Sequence, residues 1–192
     1  TQSRSSAASD VYKRQECILL KGARKFRFEN IFVKLSSRYH NTVLEINLDS
    51  TVQNIVVYRS LLKPETKVMA VIKASGYGAG SVKLARHLEK NNVNYFSVAF
   101  VDEGIELRKG GVKNPIMVFN SDLVFLPEMI EYQLEPVVFS FEFLDYIVNH
   151  APEGLGVHLK IDSGLNRLGF QEKDWDRLCK RLKEINNIRI LS

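Results

Sequence analysis

Val157-His-Leu-Lys-Ile-Asp162 alternates apolar and polar residues with the period of a β-strand. Val157, Leu159 and Ile161 share one face; His158, Lys160 and Asp162 share the other. An open sheet covered by helices on both sides would press that polar row against hydrocarbon, which charged groups tolerate poorly. A closed barrel accommodates it. Helices cover the outer face, while inward-pointing polar groups at the C-terminal ends of the strands reach a solvated mouth.

The flanking sequence repeats the same unit. Apolar runs near residues 67–73, 94–100, 115–120, 135–140, 155–162 and 187–192 read as strands. Amphipathic segments near 81–91, 102–110, 122–132, 141–150 and 171–184 read as helices, with Ser81, Asp102 and Asp122 placed as N-caps. Six strands separated by single helices argue for right-handed βα repeats. The expected fold class is α/β, a (β/α)8 TIM-type barrel truncated after about six strands. Ahead of it, Thr42 to Leu48 alternates as a further strand, Asp49 or Ser50 is the expected cap of a helix through Leu62, and Lys63-Pro64 ends that helix.

Composition narrows the function classes. The 192 residues are 45% hydrophobic, enough for one sizeable core. No run approaches the roughly 18 apolar residues of a membrane span, and no signal-peptide h-region opens the chain. A cytoplasmic location is the expectation. Of the formal net charge of +5, residues 1–15 supply part through Arg4, Lys13 and Arg14 against Asp10. The remaining charge is mild and interspersed, which argues against a nucleic-acid partner. Cys17 and Cys179, and the histidines at 40, 87, 150 and 158, lack metal-ligand spacing, so no metal site is expected.

Two stretches carry chemistry. In Val68-Met-Ala-Val-Ile-Lys-Ala-Ser-Gly-Tyr-Gly-Ala-Gly80, an apolar strand delivers Lys73 to its C-terminal end, and a glycine-rich loop leads to a helix start at Ser81. An amine there can reach a carbonyl ligand. A lysine ending a strand often does no more than reach water, and the loop is neither a Walker A nor a dinucleotide fingerprint. In the second stretch, His158-Leu-Lys-Ile-Asp-Ser-Gly-Leu-Asn-Arg-Leu-Gly-Phe170, a turn at Gly164 could fold Arg167 back over the strand end near Lys160. Two neighbouring cations call for an anion between them. An ordinary surface loop with an Asp162–Arg167 pair fits this segment as well.

Together, Lys73-x-x-x-Tyr77-Gly-x-Gly80 and Lys160-Ile-Asp-Ser-Gly-x-x-Arg167-Leu-Gly-Phe170 resemble alanine racemase over residues 42–192. The resemblance implies a pyridoxal 5′-phosphate (PLP) cofactor bound as a Schiff base on Lys73, which also serves as base on one face of the substrate. It implies that Tyr77 donates to the cofactor phosphate. Arg167 would bind the cofactor's phenolic oxygen and the substrate carboxylate, and Lys160 is implied to be carbamylated, giving Arg167 an anionic partner. Asp162, Gly164 and Asn166 would shape the loop. A second acid/base, a tyrosine contributed across a homodimer, would lie beyond this chain. The substrate is implied to be alanine, interconverted between its L and D forms for peptidoglycan precursors. The alternatives are a PLP-binding barrel of homeostasis or regulatory type, and a non-catalytic racemase-like scaffold fused to a ligase.

Residues 1–15 lack periodicity and are expected to be a non-native leader, and the chain as a whole an internal fragment, inactive alone. Glu16-Cys-Ile-Leu-Leu-Lys-Gly-Ala-Arg-Lys25 opens a stretch, residues 16–40, that resembles the C-terminal end of the ligases adding D-alanyl-D-alanine to the UDP-N-acetylmuramoyl-tripeptide precursor. Ala23 stands where those ligases carry serine. With the barrel expected over residues 41–192, this implies the junction of a bifunctional ligase–racemase fusion.

Overall fold

The computed structural model describes residues 45–192. The expected leader, the ligase-like stretch, Cys17, His40 and residues 42–44 of the first expected strand lie outside them.

Six parallel strands form one sheet in sequential order: β1 (Met69–Val71), β2 (Tyr95–Val98), β3 (Ile116–Val118), β4 (Glu135–Val138), β5 (Leu155–Leu159) and β6 (Ile188–Ile190). Helices α1 (Leu48–Ser60), α2 (Ser81–Lys90), α3 (Val101–Lys109), α4 (Leu126–Glu131), α5 (Phe141–His150) and α6 (Trp175–Glu184) precede, separate or follow the strands. Short 3-10 turns, Leu123–Phe125 and Glu172–Asp174, lead into α4 and α6.

Pairing in register gives each face of the sheet its membership. Phe96, Ile116, Val118, Val138 and Val157 are buried with Ala85, Leu88, Leu107, Met129, Leu144 and Ile147 of the helices. Each large side chain removed from water there contributes about 1.5–3 kcal/mol. Tyr95 of β2 touches His158 of β5 although two strands lie between them. Such a contact requires the sheet to curl, with both side chains on its concave face. Since Met69 pairs with Tyr95, Val71 with Ser97 and Ser97 with Met117, these residues share that face. The result is a truncated (β/α)8 barrel, the architecture expected from the polar row on β5.

Several local expectations are corrected. Glu45–Asn47 is not extended into a strand; the helix starts at Leu48, and its cap is Asn47, whose side chain accepts from the Ser50 amide at 3.0 Å, not Asp49 or Ser50. Likewise α3 begins at Val101 behind Phe100, and the capping carboxylate is that of Glu103, not Asp102. Ser81 is the first residue of its helix rather than its cap, which is Gly80. Asp122 does cap, accepting from the Val124 amide at 3.2 Å.

Candidate active site

All four sequence-derived site residues lie at the C-terminal end of the sheet. Lys73 follows β1 with extended backbone, and Tyr77 lies on the loop beyond it. Lys160 follows β5, and Arg167 lies on the loop that succeeds it. Lys73, Tyr77 and Arg167 are exposed, Tyr77 at 68%. Neither Lys73 nor Arg167 forms an ion pair with any described residue, so the Asp162–Arg167 pair of the alternative reading of this loop is not formed.

The chain after Lys73 does something sequence propensity does not suggest. Ala74–Tyr77 is a single helical turn with φ of +50°, +53°, +61° and +53°, the left-handed region. Only Gly76 adopts that conformation freely; for Ala74, Ser75 and Tyr77 it costs of order 1–3 kcal/mol each. Surrounding contacts hold it. The Lys73 carbonyl accepts from the Gly76 amide at 3.0 Å, and the Glu103 carboxylate accepts from the Ala74 amide at 2.8 Å.

The β5 loop closes on itself. The Phe170 amide donates to the Lys160 carbonyl at 2.8 Å and the Asp162 amide to the Phe170 carbonyl at 2.9 Å, which returns the chain to its origin within ten residues. Phe170 is buried and packs edge-on to Phe141 at 5.0 Å between centroids. Asp162 shapes the turn as expected: its Oδ1 accepts from the amides of Gly164 at 3.1 Å and Asn166 at 3.0 Å. Those amides hold its carboxyl below the usual aspartate range, and the nearby charge of Lys160 adds to the effect. The Lys160 ammonium sits 5.8 Å from the centre of the Phe119 ring, a cation–π arrangement on the concave face.

Beneath this rim, the inward orientation expected for His158 is realised in a partly buried network centred on its ring. His158 Nε2 lies 3.0 Å from Glu135 and 3.2 Å from the Tyr95 hydroxyl, and Nδ1 lies 2.7 Å from the Ser192 hydroxyl. Ser97 Oγ, on the same face and fully buried, has no hydrogen-bond partner among the described residues. Among the described residues no cluster of three or more His, Cys, Asp or Glu could hold a metal ion. A cavity of about 720 Å³ opens between the ends of β2–β4 and the helices beyond, lined by Phe100, Ser121, Phe125 and Leu168, and it includes none of the four site residues.

Sequence reasoning passed over Glu103, although its position three residues after Phe100 is that of a capping glutamate. Its second contact, to Ala74, is 29 residues away in sequence and left no local signal.

Comparison with known proteins bears on the family and the fold. The sequence profile described as "Alanine racemase, N-terminal domain" matches residues 46–192. An alanine racemase of Halalkalibacterium halodurans is 35% identical over 147 residues, covering 73% of this chain and 37% of the relative. One from Clostridium kluyveri is 38% identical over 137 residues, covering 69% and 35%. Among solved structures, alanine racemase of Clostridium difficile 630 in complex with cycloserine superimposes with a TM-score of 0.69 at 35% identity, covering 79% of this chain and 44% of that one. The chain thus spans about two fifths of the length of the curated relatives it matches.

Proposed function

The chain belongs to the alanine racemase N-terminal domain family, and on that premise we propose that the protein interconverts L- and D-alanine with PLP as cofactor. The observation that carries this proposal is the turn after β1, which leaves the amine of Lys73 and the ring of Tyr77 exposed on one short loop at the barrel mouth. The donor set suits the cofactor. Among the described residues it offers an amine free of ion pairs, a phenol, a guanidinium, and a buried serine hydroxyl without a hydrogen-bond partner on the same face.

Racemisation needs a proton removed from one face of Cα and delivered to the other. Bound PLP would supply the electron sink that makes the Cα–H acidic. Lys73 would hold it covalently and carry the proton at Nζ on one face. Tyr77 would donate to its phosphate. The guanidinium of Arg167 would hold the phenolic oxygen and the substrate carboxylate, for which its planar fork is suited. Carbamylation of Lys160 would turn a cation into an anionic acceptor for Arg167 and draw Nζ away from the Phe119 ring. The second acid/base would come from a tyrosine of the other subunit of a homodimer. D-Alanine made in this way in the cytoplasm would feed peptidoglycan precursor synthesis, and the Leu20-Lys-Gly-Ala-Arg24 stretch supports a ligase fused upstream.

Borohydride reduction of the full-length protein with PLP, followed by peptide mapping, tests the proposal. A pyridoxyl label on Lys73, lost together with racemisation in Lys73→Ala, is the expected result. A protein that takes no label at Lys73 is a scaffold or a different kind of barrel, and the proposal falls.

A further inference from the structure

We propose that Glu103 is a positioning residue for Lys73, holding the peptide that follows it and so the direction in which its amine leaves the backbone. This inference rests on the assignment of Lys73 above. Capping alone does not account for the geometry. As the third residue of α3, Glu103 needs to reach only the Phe100 amide, which its Oε2 does at 3.2 Å. The same oxygen also accepts from the Ala99 amide at 2.8 Å, at the end of β2. The other oxygen, Oε1, crosses to the neighbouring βα loop and accepts from the Ala74 amide at 2.8 Å. The caps Asn47, Asp122 and Ser140 bond only amides of their own helical segment.

The peptide between Lys73 and Ala74 is consequently held at both ends, by Gly76 on its carbonyl and by Glu103 on its amide. That peptide is where the backbone passes from extended at Lys73, φ −129° and ψ 167°, to left-handed at Ala74, φ +50°. Fixing its plane fixes ψ of Lys73 and φ of Ala74 together. The Cα–Cβ bond of Lys73 and the position of Tyr77 are thereby set relative to each other, although Ala74, Ser75 and Tyr77 each disfavour the conformation. A carboxylate suits the task because one rigid group accepts three amides from two loops, which a neutral amide side chain cannot do with its single acceptor oxygen.

Glu103→Gln in the full-length protein is the test, read in two ways. Without cofactor, amide hydrogen exchange across residues 74–80 is expected to quicken by about tenfold to a hundredfold, the equilibrium weight of one hydrogen bond to a charged acceptor, while residues 104–109 of α3 change much less. With cofactor, the PLP concentration giving half-maximal borohydride labelling of Lys73 is expected to rise by about tenfold or more. Adding Ala74→Gly and Ser75→Gly to Glu103→Gln is expected to recover labelling, because glycine adopts positive φ without being held there. Exchange at 74–80 within twofold of the wild type, loosening of α3 to the same extent as the loop, or glycines that recover nothing would each overturn the proposal. Because the exchange measurement needs no cofactor, it decides the role of Glu103 even if Lys73 takes no label, an outcome that would count against the assigned function instead.

Discussion

Gly169→Ala isolates the contact that closes the β5 loop. At φ +126°, a Cβ on residue 169 would lie 2.8 Å from the Asp162 nitrogen, 2.9 Å from the Lys160 oxygen and 3.0 Å from the Ile161 carbonyl carbon. All three are backbone atoms, so no side-chain rotation relieves the overlap. Gly164, in the same loop, supplies an internal control: its φ is +123°, yet a Cβ there meets nothing within 4 Å. The two substitutions share a conformational cost of about 1–3 kcal/mol. Gly169→Ala must in addition push Phe170 away from the strand end, breaking the bonds between Phe170 and both Lys160 and Asp162, at about 0.5–1.5 kcal/mol each. We therefore expect Gly169→Ala to cost about 4 kcal/mol in all and to exceed Gly164→Ala by about 1–3 kcal/mol. Urea unfolding of the full-length variants measures the difference, and amide exchange across residues 160–170 locates it. Equal losses at the two positions would refute the steric reasoning and leave only the cost of positive φ.

Two further outcomes follow from contacts away from the loop closure. Arg108 donates to four carbonyls, those of Tyr132, Gln133, Val112 and Asn114, at 2.7–2.9 Å; burial lowers its pKa, against the opposing charge of Glu89. Arg108→Ala should cost about 3 kcal/mol in urea unfolding, since several carbonyls lose a charged donor, and Arg108→Lys should recover only part of it; a loss under about 0.5 kcal/mol would show that water replaces the guanidinium. Asp162, whose pKa is depressed in the folded chain, steadies its turn at pH above the ordinary aspartate value of 3.8 and loses that effect as pH falls through its lower folded value. Exchange at residues 164–166 should accordingly accelerate on acidification beyond its intrinsic pH trend in the wild type but not in Asp162→Asn, and identical profiles would sink the linkage.

How much of this was legible in the sequence depends on the range of the forces involved. The βα repeat was readable because strand period, glycine turns and amphipathic helices are local, and every strand expected after residue 66 is present, each shortened at one or both ends. The first helix was misplaced by two or three residues because Asn47, Asp49 and Ser50 are all competent caps, and the capping bond forms at Asn47. The left-handed turn at Ala74–Tyr77 was invisible for a different reason. Ala, Ser and Tyr carry no preference for positive φ, and what holds them there, Glu103, comes from another βα unit. The candidate site residues on strand ends and loops could be named through the family resemblance their motifs carry, but the partners that orient them could not.

The polar row on β5 shows how a barrel interior differs from an open sheet in energy as well as in shape. A buried polar group left without a partner costs about 1–3 kcal/mol, a sizeable part of a typical stability margin, and for the buried His158 the half-buried Tyr95 and Glu135 supply partners. Glu135 and His158 lie on adjacent strands, and curling the sheet brings Tyr95 of β2 to them, so that His158 Nε2 meets Glu135 at 3.0 Å and the Tyr95 hydroxyl at 3.2 Å. Flattening the same sheet would carry Tyr95 away from His158 and lose that contact, while the contact between the neighbouring β4 and β5 would remain. The network thus stabilises the curved state specifically, and the curvature in turn brings the ends of β1 and β5, with Lys73 and Lys160, around one mouth. The residues that make the interior polar are in this sense also those that help assemble the site above them.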